Sequence, residues 1–118
     1  EIQVWLEFRR VLFRSKLFFG SRIIKLNYLD HEVADKKKIF GEFCSNKNIL
    51  SIDKSLDPIE MSNTLIHEIC HLIADHYKIE LSAKAEEITC NSIANGLCDI
   101  LYQNPELLDF LYKSLKKD

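Results

Sequence analysis

The sequence predicts an α+β domain in which a small, mostly antiparallel sheet comes first and three helices follow. Short apolar segments with alternating polarity occupy the first half of the chain, which is typical of strands. Residues that favour helix starts and stops divide the second half. The 118 residues are enough for one modest hydrophobic core, so we expect a single domain.

Composition and charge exclude several classes of protein. Hydrophobic residues make up 47% of the chain and charged residues 29%, which argues against a disordered or acidic linker. The net charge of −2 gives no basic surplus for nucleic acid or a membrane surface. No apolar run approaches the roughly 18 residues of a spanning helix. The four cysteines show no paired CxxC spacing and fit reduced thiols, so we expect a cytoplasmic protein.

The first 15 residues, EIQVWLEFRRVLFRS, are set apart from the domain. The stretch LEFRRVLFRS resembles the translation of a common short-read sequencing adapter. A genuine Arg-rich amphipathic start, such as a transit peptide, is the alternative. We expect residues 1–15 to be non-native and residues 16–118 to form the domain.

The first half of that domain carries the predicted strands. Residues 17–29 (LFFGSRIIKLNYL) alternate in polarity, and the Gly-Ser pair within them indicates a turn that makes a hairpin. Residues 30–38 (DHEVADKKK) lack an apolar stripe and predict a solvated loop. Residues 39–44 and 49–53 flank a polar tetrapeptide and predict a second hairpin.

The first helix has a well-marked start. Asp57 is a good N-cap, Pro58 suits the first helical position, and Glu60 completes a capping box. These signals predict a helix over residues 58–77.

Two further helices follow it. Ser82 is the predicted N-cap of a helix over residues 83–103. The Asn104-Pro105 pair ends that helix and begins a short one over residues 106–116.

The first helix contains an H-E-x-x-H motif, His67-Glu68-Ile69-Cys70-His71. Residues four apart lie on one helix face, so both imidazoles can bind the same zinc ion. Glu68 lies beside them and can take a proton from a water that the metal activates, without being a ligand. We predict His67 and His71 as zinc ligands and Glu68 as the catalytic base. The alternative is a pair of ordinary helix histidines that bind nothing.

A catalytic zinc needs a third protein ligand, and the next helix offers Glu86 and Glu87. Glu86 heads an apolar stripe that continues through Cys90, Ile93, Leu97 and Leu101, so it should face the first helix. Glu87 is rotated by about 100° from it. A carboxylate at the head of such a stripe is costly unless it is paired or bound to metal. We therefore predict Glu86 as the third ligand, with Glu87 as the alternative. The remaining interpretation is that both bind nothing and only place negative charge in the first helical turn, where the helix dipole favours it.

Two other side chains have the chemistry of zinc ligands. His76 lies nearly half a turn away in angle from His67, and we expect it to pack or to lie at the surface. Cys90 could close the site as a fourth ligand, but a cysteine in an apolar stripe more often behaves as a small buried hydrophobe.

From residue 39 onward the chain resembles small phage-type zincin proteins related to the ImmA/IrrE-like metallopeptidases. The resemblance rests on the segments GEFCSNKNILSID, TLIHEICHLIADHY, AEEI and NGLCDILYQNPEL. It implies a minimal zincin-like fold. It also implies that His67, His71 and a downstream glutamate, Glu86 or Glu87, bind Zn²⁺ while Glu68 is the base. The family is linked to prophages and mobile elements, where some members cleave or inactivate helix-turn-helix repressors.

Two classes of function follow. The first is a gluzincin-type zinc metallopeptidase that acts on a protein or peptide, such as a repressor-type regulator, with no nucleic-acid or membrane partner. An exposed sheet edge at residues 49–53 would hold its substrate as an added strand. The second is a non-catalytic module in which zinc stabilises a small fold that binds a phage or host regulator.

Overall fold

The structure is a computed structural model that describes residues 16–116; the expected adapter segment, residues 1–15, lies outside them. In chain order the elements are β1 (Lys16–Phe19), β2 (Arg22–Leu29), α1 (His31–Lys37), β3 (Gly41–Cys44), β4 (Ile49–Asp53), α2 (Pro58–His76), α3 (Ala83–Gln103) and α4 (Pro105–Leu115). The predicted α+β class is confirmed.

The strands form one sheet in the order β1-β2-β4-β3. β1 and β2 are an antiparallel hairpin that turns at Gly20, whose φ of +60° favours glycine. β3 and β4 are also antiparallel and are joined by a 3₁₀ turn, Ser45–Lys47. β2 and β4 are parallel, with Leu26 opposite Leu50. The sheet is therefore mostly antiparallel, as predicted, and β1 and β3 are its edges.

The segment predicted as a loop contains the helix α1. It has one buried side chain, Ala34, and it ends where Lys38 adopts the left-handed conformation and donates its N–H to main-chain oxygens of the last turn. Contacts at its start also tie it to the end of β4: His31 contacts Asp53 at 2.9 Å. The loop prediction was wrong because a seven-residue helix with a single buried alanine shows no apolar stripe.

The hydrophobic core lies between the sheet and α2. Its buried members come from both central strands, from α2 and from the segment before α2: Ile24, Leu26, Leu50, Ile52, Leu56, Met61 and Leu72. Burying each large side chain of this kind contributes about 1.5–3 kcal/mol. This packing fixes α2 against the sheet and leaves another side of α2 for α3.

The helix ends agree with the sequence signals to within one residue. The Asp57 carboxylate accepts the N–H of Glu60 at 2.8 Å, and the Ser82 hydroxyl accepts that of Ala85 at 3.1 Å. α4 begins at Pro105. None of the helices within residues 16–116 has both the length and the apolar character needed to cross a membrane.

α3 packs along α2 through small side chains. Cys90 and Ala94 are buried, whereas Ile93 and Leu97 are 44% and 41% exposed. The contact face is therefore rotated away from the predicted stripe and toward Glu87. Small residues let two helices approach closely, so the larger apolar side chains lie at the border of the contact.

Candidate metal centre

Two imidazoles and one carboxylate meet between α2 and α3. Nε2 of His67 lies 3.1 Å from Nε2 of His71. Oε1 of Glu87 lies 3.1 Å from the first nitrogen and 2.8 Å from the second. Among residues 16–116, these three form the one group of side chains that brings ligand atoms together in this way.

The size of this triangle suits a zinc ion. Three donors placed tetrahedrally at zinc's usual bond lengths of about 2.0–2.1 Å are about 3.3 Å apart. The observed separations of 2.8 to 3.1 Å are slightly shorter than that value. Two imidazoles and a carboxylate are also the ligands of several catalytic zinc sites, which keep a fourth position open. The residues present therefore fit the metal.

Glu86, the predicted third ligand, contacts the other side of the same imidazole. Its Oε2 lies 2.6 Å from Nδ1 of His71, the nitrogen that points away from His67. Histidines that bind metals usually donate this second N–H to a carboxylate, which fixes the orientation of the ring. The structure thus gives the two glutamates different positions: Glu87 lies at the Nε2 atoms and Glu86 at Nδ1.

Glu68 is buried beside the histidines. It is 6% exposed, and its Oε2 lies 3.9 Å from Nε2 of His67. Burial raises the pKa of Glu68 to about 7, although the nearby His71 and a hydrogen bond from the Phe43 main chain act in the opposite direction. A carboxyl group that titrates near neutral pH is suited to both accepting and returning a proton.

Contacts within the cluster raise the pKa of His71 and lower the pKa of Glu87. Burial acts to lower the pKa of His71, but hydrogen bonds to Glu86 and Glu87 outweigh it and raise that pKa. Burial acts to raise the pKa of Glu87, but the imidazoles of His71 and His67 lower it. The Glu87 carboxylate is therefore held in the charged form that a metal ligand requires.

The cluster opens into a cleft with two lobes. The lobes have volumes of about 350 and 390 Å³. The first is lined in part by Lys38, Phe40, Asn63 and Asn91, and the second in part by Phe43, Ser45, Asp75 and Glu86. Both lobes share Gly41, His67, Glu68 and Glu87, so His67 and Glu87 lie where the lobes meet, while His71 lines the second lobe.

The strand along this cleft is β3. β4, which the sequence suggested as an exposed edge, pairs with β2 on one side and with β3 on the other. The prediction of an edge at Ile49–Asp53 was wrong because the parallel pairing of β2 with β4 joins segments that are far apart in the sequence. Gly41–Cys44 is the edge beside the cluster.

Polar contacts fix the end of α2 near the second lobe. Arg22 donates from Nη2 to Asp75 at 2.9 Å and from Nε to Asn48 at 2.8 Å. Ser45 also donates to Asp75, at 3.0 Å. The Arg22 hydrogen bond lowers the pKa of Asp75. Because Asp75 lies one turn beyond His71, these contacts hold the helix that carries the histidines against the rim of the sheet.

The two other side chains with ligand chemistry, His76 and Cys90, lie outside the cluster. His76 is exposed and stacks on Phe19 with ring centroids 4.0 Å apart, in line with the expected packing or surface position. Cys90 is 3% exposed in the contact between α2 and α3, and burial raises the pKa of its thiol to about 12. A neutral buried thiol behaves as a small hydrophobe.

Comparison with known proteins gives one family. The model of the M78 peptidases, described as the IrrE N-terminal-like domain, matches residues 19–97, about two thirds of the chain. The match extends from β1 into α3 and so includes the whole cluster. Searches of curated proteins and of solved structures found no match.

Proposed function

Because the chain belongs to the IrrE N-terminal-like family of M78 peptidases, we propose that it is a zinc-dependent metallopeptidase of the gluzincin type. Membership of a peptidase family points to a protein or peptide substrate. The observation that carries the proposal is the meeting of the two Nε2 atoms with a Glu87 oxygen beside the buried Glu68. The resemblance to phage-type members supports a mobile-element origin and a regulator of the repressor type as substrate.

His67, His71 and Glu87 are the proposed zinc ligands. This assignment replaces Glu86 by Glu87, and the contacts of each carboxylate support the exchange: Glu87 is within 3.1 Å of both Nε2 atoms, whereas Glu86 contacts Nδ1 of His71. Glu86 then holds the His71 ring in the orientation that binding requires.

In the proposed mechanism, a zinc ion bound at this cluster supplies Lewis-acid polarisation of the peptide carbonyl and of the attacking water. Glu68 accepts the proton of that water as it attacks, and afterwards donates it to the leaving amine. Its burial keeps bulk water away from the carboxylate, so the proton is retained for the second step.

A peptide substrate can bind in the cleft along the edge strand β3. On the side away from β4, this edge strand presents the main-chain groups of Gly41 and the carbonyl of Phe43, so an extended peptide can pair with it as an added strand. Substrate side chains on either side of the cleaved bond would then enter the two lobes.

The substitution Glu68→Gln tests the role of the base. The variant should still bind one zinc per chain, because Glu68 is not among the proposed ligands. It should lose at least 100-fold in turnover of a peptide library followed by mass spectrometry, because the proton acceptor is gone. Removing zinc from the wild type and adding it back should abolish and restore cleavage. Turnover that survives in Glu68→Gln contradicts the mechanism.

The same experiment separates the peptidase from a binding module. A wild type that binds zinc in an open site, yet cleaves no peptide or repressor offered, would favour the non-catalytic alternative.

A further inference from the structure

β3 crosses α2 unusually closely at Gly41. A Cβ atom built on this residue would lie 2.7 Å from Cγ2 of Thr64 and 2.8 Å from the main-chain oxygen of Ser51. The oxygen belongs to the neighbouring strand and Thr64 is buried, so neither atom can move aside easily. Gly41 is not among the glycines with positive φ, so the lack of space, and not backbone conformation, requires glycine here.

The close crossing brings the main chain of β3 to Glu68. The same Cβ position lies 3.4 Å from Cγ of Glu68. Asp53 donates its N–H to the oxygen of Phe40, and Gly41 lies opposite Ile52. Because ladder bonds alternate along an antiparallel pair, the main-chain groups of Phe43 then point away from β4. The N–H of Phe43 is thus free of the sheet, and it hydrogen-bonds to the Glu68 carboxylate.

We propose that Gly41 is a positioning residue for Glu68. The absence of a side chain at this one position lets the edge strand come close enough for the Phe43 N–H to hold the Glu68 carboxylate beside His67. The strand proposed to bind the substrate therefore also fixes the proposed base. The kinetic part of this inference rests on the proposed function, whereas the contact between Phe43 and Glu68 can be tested without it.

Amide hydrogen exchange followed by NMR tests the contact directly. In the full chain, Gly41→Ala should speed exchange of the Phe43 amide at least tenfold relative to the amide of Leu50 in β4. Glu68→Ala should have the same effect, because it removes the acceptor. Gly96→Ala is the matched control, since nothing lies within 4 Å of the Cβ that it adds, and exchange at Phe43 should not change. Unchanged exchange at Phe43 in Gly41→Ala overturns the inference.

Kinetics test the consequence for catalysis. Gly41→Ala should lower kcat about 10- to 100-fold, since small displacements of a catalytic group have effects of this order. Its zinc affinity should stay within about threefold of the wild type, because the nearest atoms to the added methyl belong to none of His67, His71 and Glu87. Gly96→Ala should keep the wild-type kcat. A Gly41→Ala variant with wild-type kcat contradicts the positioning role.

A second pair of variants decides the question if Gly41→Ala does not fold. Phe43→Pro removes the N–H, and an edge strand tolerates proline where its N–H points out of the sheet. Phe43→Ala removes the ring equally but keeps the N–H. We expect kcat of Phe43→Pro to be at least tenfold below that of Phe43→Ala; equal values overturn the inference. A wild type without zinc-dependent turnover defeats the proposed function instead, and the exchange experiment then judges the positioning role alone.

Discussion

At the scale of single residues, two adjacent carboxylates have different contacts because each residue of a helix is rotated by about 100° from the last. Glu86 and Glu87 both face α2, but only Glu87 lies at the shared Nε2 atoms. The sequence alone predicts His67, Glu68 and His71 as residues of the site, since their spacing is a local property. The sequence favoured Glu86 over Glu87 as the third ligand, whereas the contacts favour Glu87, because the choice depends on how α3 is turned against α2.

Zinc affinity distinguishes the two glutamates. We expect Glu87→Gln to weaken zinc binding more than 100-fold, because it removes a charged ligand. We expect Glu86→Gln to weaken it about 10- to 100-fold, which is usual for the partner of a metal-binding histidine. Competition with a chromophoric chelator measures both affinities under the same conditions. A larger loss in Glu86→Gln than in Glu87→Gln would restore Glu86 as the ligand.

The sequence analysis did not single out Gly41, which lines both lobes of the cleft. A glycine inside an apolar strand signals a bulge or the close approach of another backbone, and this signal was present in the segment IFGEFC. The glycine approaches Thr64 and Ser51. Local sequence could not predict these neighbours, because they depend on how β3 packs on α2.

At the scale of elements, the predictions of where helices start are confirmed, and these predictions depend on local sequence signals. The caps Asp57 and Ser82 and the residue Pro105 mark the helix starts, because each acts on main-chain groups within a few residues. The sheet order was not predicted, because the parallel pair of β2 and β4 joins Leu26 to Leu50 across 24 positions. The exposed edge was therefore assigned to the wrong strand.

The junction of α1 with β4 shows how a missed element is anchored. Nδ1 of His31 lies 2.9 Å from Oδ2 of the buried Asp53 and 3.1 Å from Oγ of Ser55. Both partners contact the same nitrogen, so this is not the arrangement of a Ser-His-Asp triad, in which the two ring nitrogens serve different partners. The group is better described as a polar contact that fixes the start of α1.

The pH dependence of stability should reveal this contact. The Asp53 hydrogen bond raises the pKa of His31 above 6.5, so its stabilisation is complete below pH 6.5 and is lost as the pH rises through the raised value. Burial acts to raise the pKa of Asp53, but hydrogen bonds from His31 and Ser55 hold it below 3.8. That stabilisation is present above pH 3.8 and is lost as the pH falls through the lowered value. The pair therefore stabilises most between about pH 4 and 6.5.

Urea unfolding of the metal-free protein at several pH values measures this dependence. We expect the difference in free energy of unfolding between wild type and His31→Gln to be largest near pH 5 to 6 and to shrink as the pH rises through the raised pKa of His31. A difference that is constant across this range, or that grows with pH, would contradict the assignment.

At the scale of the whole molecule, the proposed zinc site links α3 to the part of the fold that consists of the sheet and α2. Two ligands lie on α2, which packs on the sheet, and the third lies on α3, whose contact with α2 is made by small residues such as Cys90 and Ala94. Zinc should therefore strengthen the association of α3 with the rest of the domain, since it binds the folded chain more tightly than the unfolded one.

Removal of the metal tests this coupling. With free zinc at 100 times its dissociation constant, the free energy of unfolding should rise by about 2.7 kcal/mol over the chelated protein. Denaturant titrations at matched pH measure the difference. The increase should be lost in His67→Ala, which cannot form the site. An equal increase in that variant would place the stabilising metal elsewhere.

The most direct measurement is a crystallographic anomalous difference map recorded at the zinc edge from crystals of the protein grown with zinc. The account predicts one peak per chain, bonded to Nε2 of His67, Nε2 of His71 and a carboxylate oxygen of Glu87 at about 2.0–2.2 Å, with Glu68 close by but unbonded. A peak that omits the two histidines, or one enclosed by four protein ligands, would contradict it.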